Sequence, residues 1–508
     1  MRFVAATGKI NDLVACAAAE YPDRPVVHDG DRLISYSEMA AGIEQLAQAL
    51  SSSGVNPGDR VLVIAENCAE QVTCLFACAR IDAWPVMVSA RLAAAEIDRI
   101  LQHCGPRMMV LLTAQSTAAM AHAQRLDAMS ATLNGVGPCH TLTFNDAVAE
   151  PVHADPAQRV AAMIYTSGST GTPKGAMLSH SNLVFMGLSQ ARVRSYTPKD
   201  KVYCVIPIAH IGGLASVVMG MTASGGCMHL HKRFTPPELA KALREQEVTI
   251  VSGVPTLYVK FLEWVAANPD KYSAPHLRLI TCASSPLDPA VKRSVESMFN
   301  LPLMNGYGMT ESSAVICQTN LDEWRDDVSV GPVLDGVSLR IVDEAGQDVQ
   351  CGQVGELVIQ GPTVFLGYYR NESATRDGFI DGWFRTGDLG YMDDNGDVFI
   401  AGRAKDTIKR SGYNVYPVDV ETALNAHQAI AISAVVGRFT GVDEEVIAYV
   451  QPIPDATLTD ADVVTFLREK LAPYKLPNRI IFLKSLPTLH NGKVDRNAIK
   501  AQAQSLQG

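Results

Sequence analysis

The chain has 508 residues, of which 47% are hydrophobic and 19% charged, and its formal net charge is −10. This composition excludes a disordered protein, and the acidic balance argues against nucleic acid or an anionic membrane as the main partner, because such binders usually present a basic face. No run of about 18 apolar residues is present and the amino terminus lacks the apolar region of a signal peptide, so no membrane span is expected. The length suits either roughly three units of about 150 residues each or a large α/β body with a smaller second domain.

The first part of the chain alternates strand and helix patterns. A hairpin is predicted over residues 26–34, turning at Asp29-Gly30, and Ser35 with Glu38 forms a capping box before an amphipathic helix. A strand at residues 60–65, a helix at 68–81 and a strand at 85–89 follow. Further strands are predicted at residues 108–112, 160–165, 201–206, 249–252 and 277–281. This alternation is typical of an α/β fold.

The pattern changes twice further along the chain. After about residue 320 short segments with Gly/Asp turns predict a small β-barrel-like subdomain, with strands at 338–342 and 355–359. From residue 404 a compact α+β pattern runs to the end, with strands at 407–409, 432–437, 446–453 and 479–483 and a helix at 460–471. We therefore predict a large amino-terminal domain over residues 1–403 and a small carboxyl-terminal domain over 404–508.

The eleven cysteines include no CxxC pair and no Cys/His cluster. Cys74 and Cys78 lie one helical turn apart in an apolar segment, where a core position is favoured over a metal site because further ligands are missing. The cysteines therefore indicate buried thiols in a reducing cytoplasm.

Residues 166–175, Thr-Ser-Gly-Ser-Thr-Gly-Thr-Pro-Lys-Gly, combine hydroxyls, glycines and a lysine directly after a buried strand. Glycine lets the backbone approach phosphate, successive N–H groups can bind an anion, and Lys174 adds a charge. The spacing is not that of a Walker loop, because Pro173 takes the place of the last glycine and Gly175 follows the lysine. A flexible linker is the alternative, which a lysine behind a proline at a strand end disfavours.

Two further segments suit a nucleotide. In residues 305–312, Tyr307 can cover a purine, Thr310 can bond a phosphate, and Glu311 can hold Mg²⁺. Asp388 suits a ribose diol, and Arg403, fifteen residues later, can bond ribose or phosphate. Alone, the first segment is more typical of an ordinary Gly-rich turn that carries an acid, and the alternative for the second is a surface turn with a salt bridge.

Two single residues become functional candidates only in combination with the segments above. His210 ends a strand before small residues that leave space for an apolar group, although a lone histidine is more often structural. Lys493 lies at the tip of a polar turn, where a lysine is usually solvated.

In this order, the segments TSGSTGTPKG, YGMTE, RTGDLG, GRAKDTIKRSGYNVYP and NGKVDR resemble the motifs of the adenylate-forming superfamily of acyl-CoA synthetases, nonribosomal peptide adenylation domains and luciferases. The likeness covers essentially the whole chain. It implies a two-step reaction: a carboxylate attacks the α-phosphate of ATP to give an acyl-adenylate and pyrophosphate, and a thiol then displaces AMP. Positioning and charge neutralisation around phosphorus do the catalytic work in such a reaction.

The resemblance also implies roles for individual residues. Gly306 is expected among the nucleotide-binding residues. Tyr307 resembles the adenine cover, Thr310 the α-phosphate contact, and Glu311 the Mg²⁺ ligand; His210 resembles the residue at the gate of the acyl pocket. Asp388 and Arg403 resemble the ribose contacts. The implied β,γ-phosphate loop comprises Thr166, Ser167, Gly168, Ser169, Thr170, Gly171 and Lys174.

In this family the carboxyl-terminal domain rotates between the two steps, and Lys405 occupies the hinge position. Lys493 resembles the lysine that bridges the substrate carboxylate and phosphate in the first step. After rotation it is replaced by residues 409–413, in which Lys409 and Gly412 are expected to line the pantetheine tunnel.

One departure concerns the loop that usually reads Gly-Ala-Ala-Pro and here contains Ser284 and Ser285, whose hydroxyls are expected to contact adenine or the acid. The expected acyl-pocket segments, residues 252–258, 283–286 and 306–312, contain no Arg or Lys. We therefore predict a monocarboxylic aliphatic or aromatic acid.

The leading interpretation is a carboxylic acid:CoA ligase that uses ATP, Mg²⁺ and coenzyme A. A stand-alone enzyme that loads an acyl carrier protein is the alternative, and a luciferase-like oxygenase is less favoured. A catalytically dead nucleotide-binding regulator is disfavoured because the chain keeps Lys174, Glu311, Asp388, Arg403 and Lys493. A homodimer is the default expectation for the assembly.

Overall fold

The computed structural model of the chain describes residues 8–166, 173–410, 413–441, 443–453, 456–488 and 494–506. Among them, no helix is both long and apolar enough to cross a membrane.

The strands of the large amino-terminal part, in chain order, are β1 Pro25–Asp29, β2 Arg32–Ser35, β3 Arg60–Ala65, β4 Trp84–Ser89, β5 Met108–Leu111, β6 Met129–Leu133, β7 Gly137–Thr143, β8 Val160–Thr166, β9 Lys174–Ser179, β10 Lys201–Cys204, β11 Cys227–Leu230, β12 Ile250–Gly253, β13 Leu279–Ala283, β14 Leu303–Tyr307, β15 Cys317–Gln318, β16 Ser338–Val342, β17 Gly355–Gln360, β18 Gly367–Tyr368, β19 Phe379–Ile380, β20 Trp383–Met392 and β21 Val398–Arg403.

The helices of the same part are α1 Asn11–Glu20, α2 Tyr36–Ser52, α3 Ala69–Arg80, α4 Ala94–Cys104, α5 Thr117–Arg125, α6 His180–Val193, α7 Gly220–Ser224, α8 Pro236–Glu245, α9 Pro255–Ala267, α10 Pro289–Phe299 and α11 Glu372–Asp377. A π-helix covers Gly212–Met219, and short 3₁₀ turns cover Pro269–Lys271, Thr310–Ser312 and Ala404–Asp406.

Beyond residue 406 lie β22 Ile408–Arg410, β23 Tyr413–Val415, α12 Pro417–Asn425, β24 Ile430–Phe439, β25 Glu444–Pro452, α13 Asp460–Arg468, a 3₁₀ turn Pro473–Lys475, β26 Arg479–Phe482 and α14 Arg496–Ser505. Strands β24, β25 and β26 form one sheet, and β22 pairs with β23. The strands and helices of this small unit form the α+β pattern that the sequence predicts for the end of the chain.

Two eight-stranded sheets form the α/β body. The first has the order β15-β14-β13-β12-β10-β11-β1-β2 and the second the order β18-β9-β8-β4-β3-β5-β7-β6. In the first sheet the strands from β14 to β1 are parallel, and the antiparallel β2 and β15 form its edges. A third, antiparallel sheet of β16-β17-β20-β19, with β21 beside β20, is the predicted β-rich subdomain.

The largest apolar core joins the two eight-stranded sheets. Val202 and Ile250 of the first sheet and Val63 and Ile164 of the second belong to it, together with helical residues such as Phe76 of α3. Because both sheets bury a face here, the carboxyl ends of their strands are held in fixed relation to one another.

The predicted capping box is present at the start of α2. Ser35 Oγ accepts from the Glu38 backbone N–H at 3.2 Å, and the Glu38 carboxylate accepts from the Ser35 N–H at 2.8 Å. Nine of the eleven cysteines, including Cys74 and Cys78, are buried as predicted, whereas Cys16 is half-buried and Cys351 is exposed, so the prediction of buried thiols is wrong for these two.

Buried histidines tie distant elements of this body together. His180 is fully buried at the start of α6, and its Nδ1 accepts from the Ile10 backbone N–H at 3.2 Å. Burial lowers the pKa of His180 to about 4, and it does the same for His229 and His231. An unfolded histidine titrates near 6.5. Folding is therefore favoured by these neutral rings at pH 7, and this contribution is lost as the pH falls from about 6.5 towards 4.

We expect acid to destabilise the fold through these rings. Below pH 6.5, each should lower the free energy of unfolding by about 1 kcal/mol per pH unit. The melting temperature of His180→Gln should fall less between pH 7.5 and 5.5 than that of the unsubstituted protein, because glutamine does not titrate. The matched control is His153→Gln at an exposed position, which should lose as much as the parent. An equal loss in all three proteins would contradict the role given to His180.

Candidate active site

The predicted phosphate-binding segment, residues 166–175, joins two antiparallel strands. Strands β8 and β9 pair directly, and Thr166 faces Lys174 across the ladder. Predicted phosphate-loop residues that lie outside the described part of the chain are Ser167, Gly168, Ser169, Thr170 and Gly171. The strand before the segment is present as predicted. The chain continues into a second strand, β9, and Lys174 is its first residue.

Thr310 and Glu311 lie in a 3₁₀ turn that follows β14. The Glu311 side chain is buried, and its Oε1 accepts from Tyr368 Oη at 2.7 Å. Burial raises the pKa of Glu311, while the hydroxyl of Tyr368 and the charge of Lys174 act in the opposite direction. Thr310 is also buried, one residue before it.

The turn after β14 is tightly folded. A Cβ at Gly308 would lie 1.8 Å from the carbonyl oxygen of Ala314, so only glycine fits. Ser313 and Ala314 have positive φ angles of 54° and 106°, a conformation that is uncommon for residues with a side chain. The sequence at the end of β14 is therefore constrained by backbone geometry as well as by chemistry.

Asp388 connects three segments of the chain. Its Oδ2 accepts from Tyr307 Oη at 2.6 Å and its Oδ1 accepts from Arg403 Nε at 3.1 Å. The antiparallel register of β20 and β21 places Asp388 directly opposite Arg403. Burial raises the pKa of Asp388, and the Arg403 guanidinium opposes this shift. The structure thus brings together the tyrosine, carboxylate and guanidinium that the sequence assigned to one nucleotide.

The serine-containing departure follows β13. Ala283 at the end of this strand pairs with Gly306 of the parallel β14, so both loops leave the same edge of the first sheet. Ser284 is exposed and has a φ of +74°. The contacts assigned to Ser284 and Ser285 stay predictions.

His210 lies half-buried just before the π-helix. Its Nδ1 accepts from the Gly212 backbone N–H at 3.2 Å, which leaves Nε2 to carry the proton of the neutral ring. A Cβ at Gly213 would lie 2.2 Å from the Pro207 carbonyl oxygen, so glycine is required where the chain turns back after β10. The π-helix is a rare geometry that often occurs near functional sites.

The remaining predicted site residues belong to the carboxyl-terminal part. Lys405 lies in the 3₁₀ turn after β21, where burial and then the nearby Arg403 lower its pKa. Lys409 lies in β22, and its Nζ is 3.8 Å from Glu344 Oε1 of the large part. Gly412 and Lys493 lie outside the described residues.

Tyr368 was not singled out in the sequence, although it contacts both Glu311 and Lys174. Tyrosine is common in strands for packing reasons, so no sequence signal separates it from other aromatic residues. Only the pairing of β18 with β9 reveals its position.

Among the described residues, no group of three or more His, Cys, Asp or Glu side chains is arranged to hold a metal ion. A single buried carboxylate at Glu311 nevertheless fits Mg²⁺ in a nucleotide site, because that ion usually takes one or two protein carboxylates together with phosphate oxygens and water.

Comparison with known proteins identifies the family. Residues 14–369 match the AMP-binding enzyme family, and residues 419–493 match the AMP-binding enzyme C-terminal domain. The chain is 31% identical to an indoleacetate–CoA ligase of Aromatoleum aromaticum over 94% of this chain and 95% of that protein. ATP-bound MatB from Rhodopseudomonas palustris has the same fold, with a TM-score of 0.86 and 30% identity over 98% of this chain and 99% of that one.

A further similar structure is an O-succinylbenzoate coenzyme A synthetase, MenE, from Bacillus subtilis in complex with ATP and magnesium. Its TM-score is 0.81, with 26% identity over 96% of this chain and 99% of that chain. The chain therefore belongs to the AMP-binding enzyme family, within the adenylate-forming superfamily that contains acyl- and aryl-CoA ligases.

Proposed function

We propose that this AMP-forming acid–thiol ligase joins a monocarboxylic acid, aliphatic or aromatic, to coenzyme A. ATP first converts the acid into an acyl-adenylate with release of pyrophosphate, and the CoA thiol then displaces AMP to form the thioester. The observation that carries the proposal is the convergence on Asp388, where Tyr307 and Arg403 bond one buried carboxylate at 2.6 and 3.1 Å. Relatives named as CoA ligases support coenzyme A as the acceptor.

Each polar group has a part in the first step. Asp388 and Arg403 bind the ribose, and Tyr307 covers the adenine. Thr310 donates to the α-phosphate, and Lys174 neutralises charge on the outer phosphates. Since the carboxylate is a weak nucleophile, fixing it in line with the α-phosphate is worth more than any covalent assistance.

Glu311 would hold Mg²⁺, which when bound would neutralise charge on the phosphate. Glu311 suits this role because its carboxylate is buried and already oriented by Tyr368. The protein contributes the orientation, and no further carboxylate is needed.

We assign the domain boundary to residues 403 and 404. Arg403 is bonded to Asp388 of the large part, whereas Asp406 is bonded to Lys500 of α14 at 2.6 Å. Lys405 lies between these anchored neighbours, which supports its assignment as the hinge. A homodimeric assembly and a cytoplasmic location stay predictions; all eleven cysteines are free thiols, which agrees with a reducing compartment.

The acid is expected to carry a single carboxylate because the expected pocket segments hold no basic side chain. Arg194 nevertheless lies near the segment 306–312. This buried residue donates from Nη1 to Tyr196 Oη at 2.9 Å, and its Nε and Nη2 face the amide of Gln318, which pairs with Gly306. A test of substrate class must therefore include diacids.

The first experiment scores pyrophosphate release across matched pairs of acids, each pair comprising a monocarboxylate and the diacid of equal length. We expect turnover of monocarboxylates and CoA-dependent formation of AMP and thioester. Preferential turnover of the diacid would contradict the monocarboxylic prediction and point to Arg194. Absence of turnover with every acid would contradict the ligase assignment and favour a nucleotide-binding regulator.

The second experiment separates the two steps. Lys493→Ala should lower adenylate formation by at least a hundredfold while sparing thioester formation from a supplied acyl-adenylate, because this lysine acts only on the first transition state. Lys405→Pro should have the opposite effect, because proline restricts the backbone at the hinge. Lys199→Ala, at an exposed position outside every motif, is the control. Equal loss in both steps for Lys493→Ala, or unchanged thioester formation for Lys405→Pro, would refute the respective role.

A further inference from the structure

Strand β18 links strand β9, which follows the predicted phosphate-binding segment, to the turn that contains Glu311. Gly367 and Tyr368 pair with Met177 and Ala176 of β9. The backbone N–H of Tyr369 donates to the Gly175 carbonyl at 2.8 Å, next to Lys174. A few residues earlier, the Phe365 N–H donates to the Glu311 carbonyl at 2.9 Å. One short segment therefore fixes the spacing between two sites that lie far apart in sequence.

The side chain of Tyr368 spans the same gap. Its hydroxyl donates to Glu311 Oε1 at 2.7 Å, and Lys174 Nζ lies 4.8 Å from the centre of its ring. The ring is itself supported by Phe365, whose ring packs edge-on at 4.9 Å. A hydroxyl bonded to a carboxylate and a π-face under an ammonium are both favourable contacts, and they use different parts of the same residue.

This arrangement matters because Lys174 and Glu311 carry opposite charges. They interact electrostatically, yet they form no ion pair within the parts of the chain that the structure describes. A direct pair would engage both the ammonium required by phosphate and the carboxylate required by the metal. A ligand would then have to break that pair, at a cost in affinity.

We propose that Tyr368 is a positioning residue that keeps Lys174 and Glu311 from pairing. Its hydroxyl orients the carboxylate for Mg²⁺, and its ring holds the ammonium ready for phosphate. This inference rests on the proposed roles of Glu311 and Lys174 in binding Mg²⁺ and ATP.

Two substitutions separate the hydroxyl from the ring. Tyr368→Phe keeps the ring under Lys174 and removes the bond to Glu311, so the apparent KM for Mg²⁺ should rise about tenfold with kcat at saturating Mg²⁺ and the KM for the acid nearly unchanged. Tyr368→Leu removes both contacts and should raise the KM for ATP as well. Electron paramagnetic resonance of Mn²⁺ with ATP gives a binding readout without turnover, and Tyr368→Phe should weaken that ternary complex by a similar factor.

The adjacent tyrosine provides a matched control. Tyr369 donates from its hydroxyl to Glu150 at 2.6 Å, away from Glu311, so Tyr369→Phe should leave the Mg²⁺ dependence unchanged. Parent-like Mn²⁺ binding in Tyr368→Phe would overturn the inference, as would an equal rise in every KM. Glu311→Gln identifies the other source of failure: parent-like Mn²⁺ binding in that variant would refute the metal role of Glu311 itself.

Discussion

The carboxylate of Asp388 is the point at which otherwise separate parts of the molecule meet. Tyr307 arrives from the end of β14 in the first α/β sheet, Asp388 belongs to the antiparallel third sheet, and Arg403 ends the last strand before the small unit. A buried carboxylate is unfavourable unless its oxygens are bonded, so these two partners stabilise it in the absence of ligand. Both oxygens are already engaged, and a ribose diol would have to share or replace bonds that the protein makes for itself.

The protein has a net charge of −10, so it must meet a polyanion with a few locally placed cations. Lys174 stands at the start of a strand rather than at a helix terminus, so its charge acts without the help of a helix dipole. Arg403 is held by Asp388, and Lys174 rests over Tyr368. The cations are thus kept in place by neighbours that leave part of each charge available.

Local features of the fold could be predicted from the sequence, and relations between distant segments could not. The Ser35–Glu38 capping box and the strand Arg60–Ala65 depend on neighbouring residues or on a simple apolar run, and both are present as predicted. The pairing of Asp388 with Arg403 depends on the register of β20 and β21, which contains an irregularity that no local pattern specifies. The entry of the phosphate segment into β9, and with it the contact between Tyr368 and Lys174, likewise follows from strand pairing alone.

The residues on either side of Lys405, the proposed hinge, are each anchored. Thr407 donates its N–H to the Arg403 carbonyl at 3.1 Å, and Asp406 is tied to α14 through Lys500, so few backbone torsions in this turn are free to change. If Lys405 is the hinge, rotation about so short a link would switch the small unit between two well-defined orientations, since a gradual bend would need many residues that each yield slightly. The length of this link, more than its flexibility, would then decide how accurately each orientation is reached.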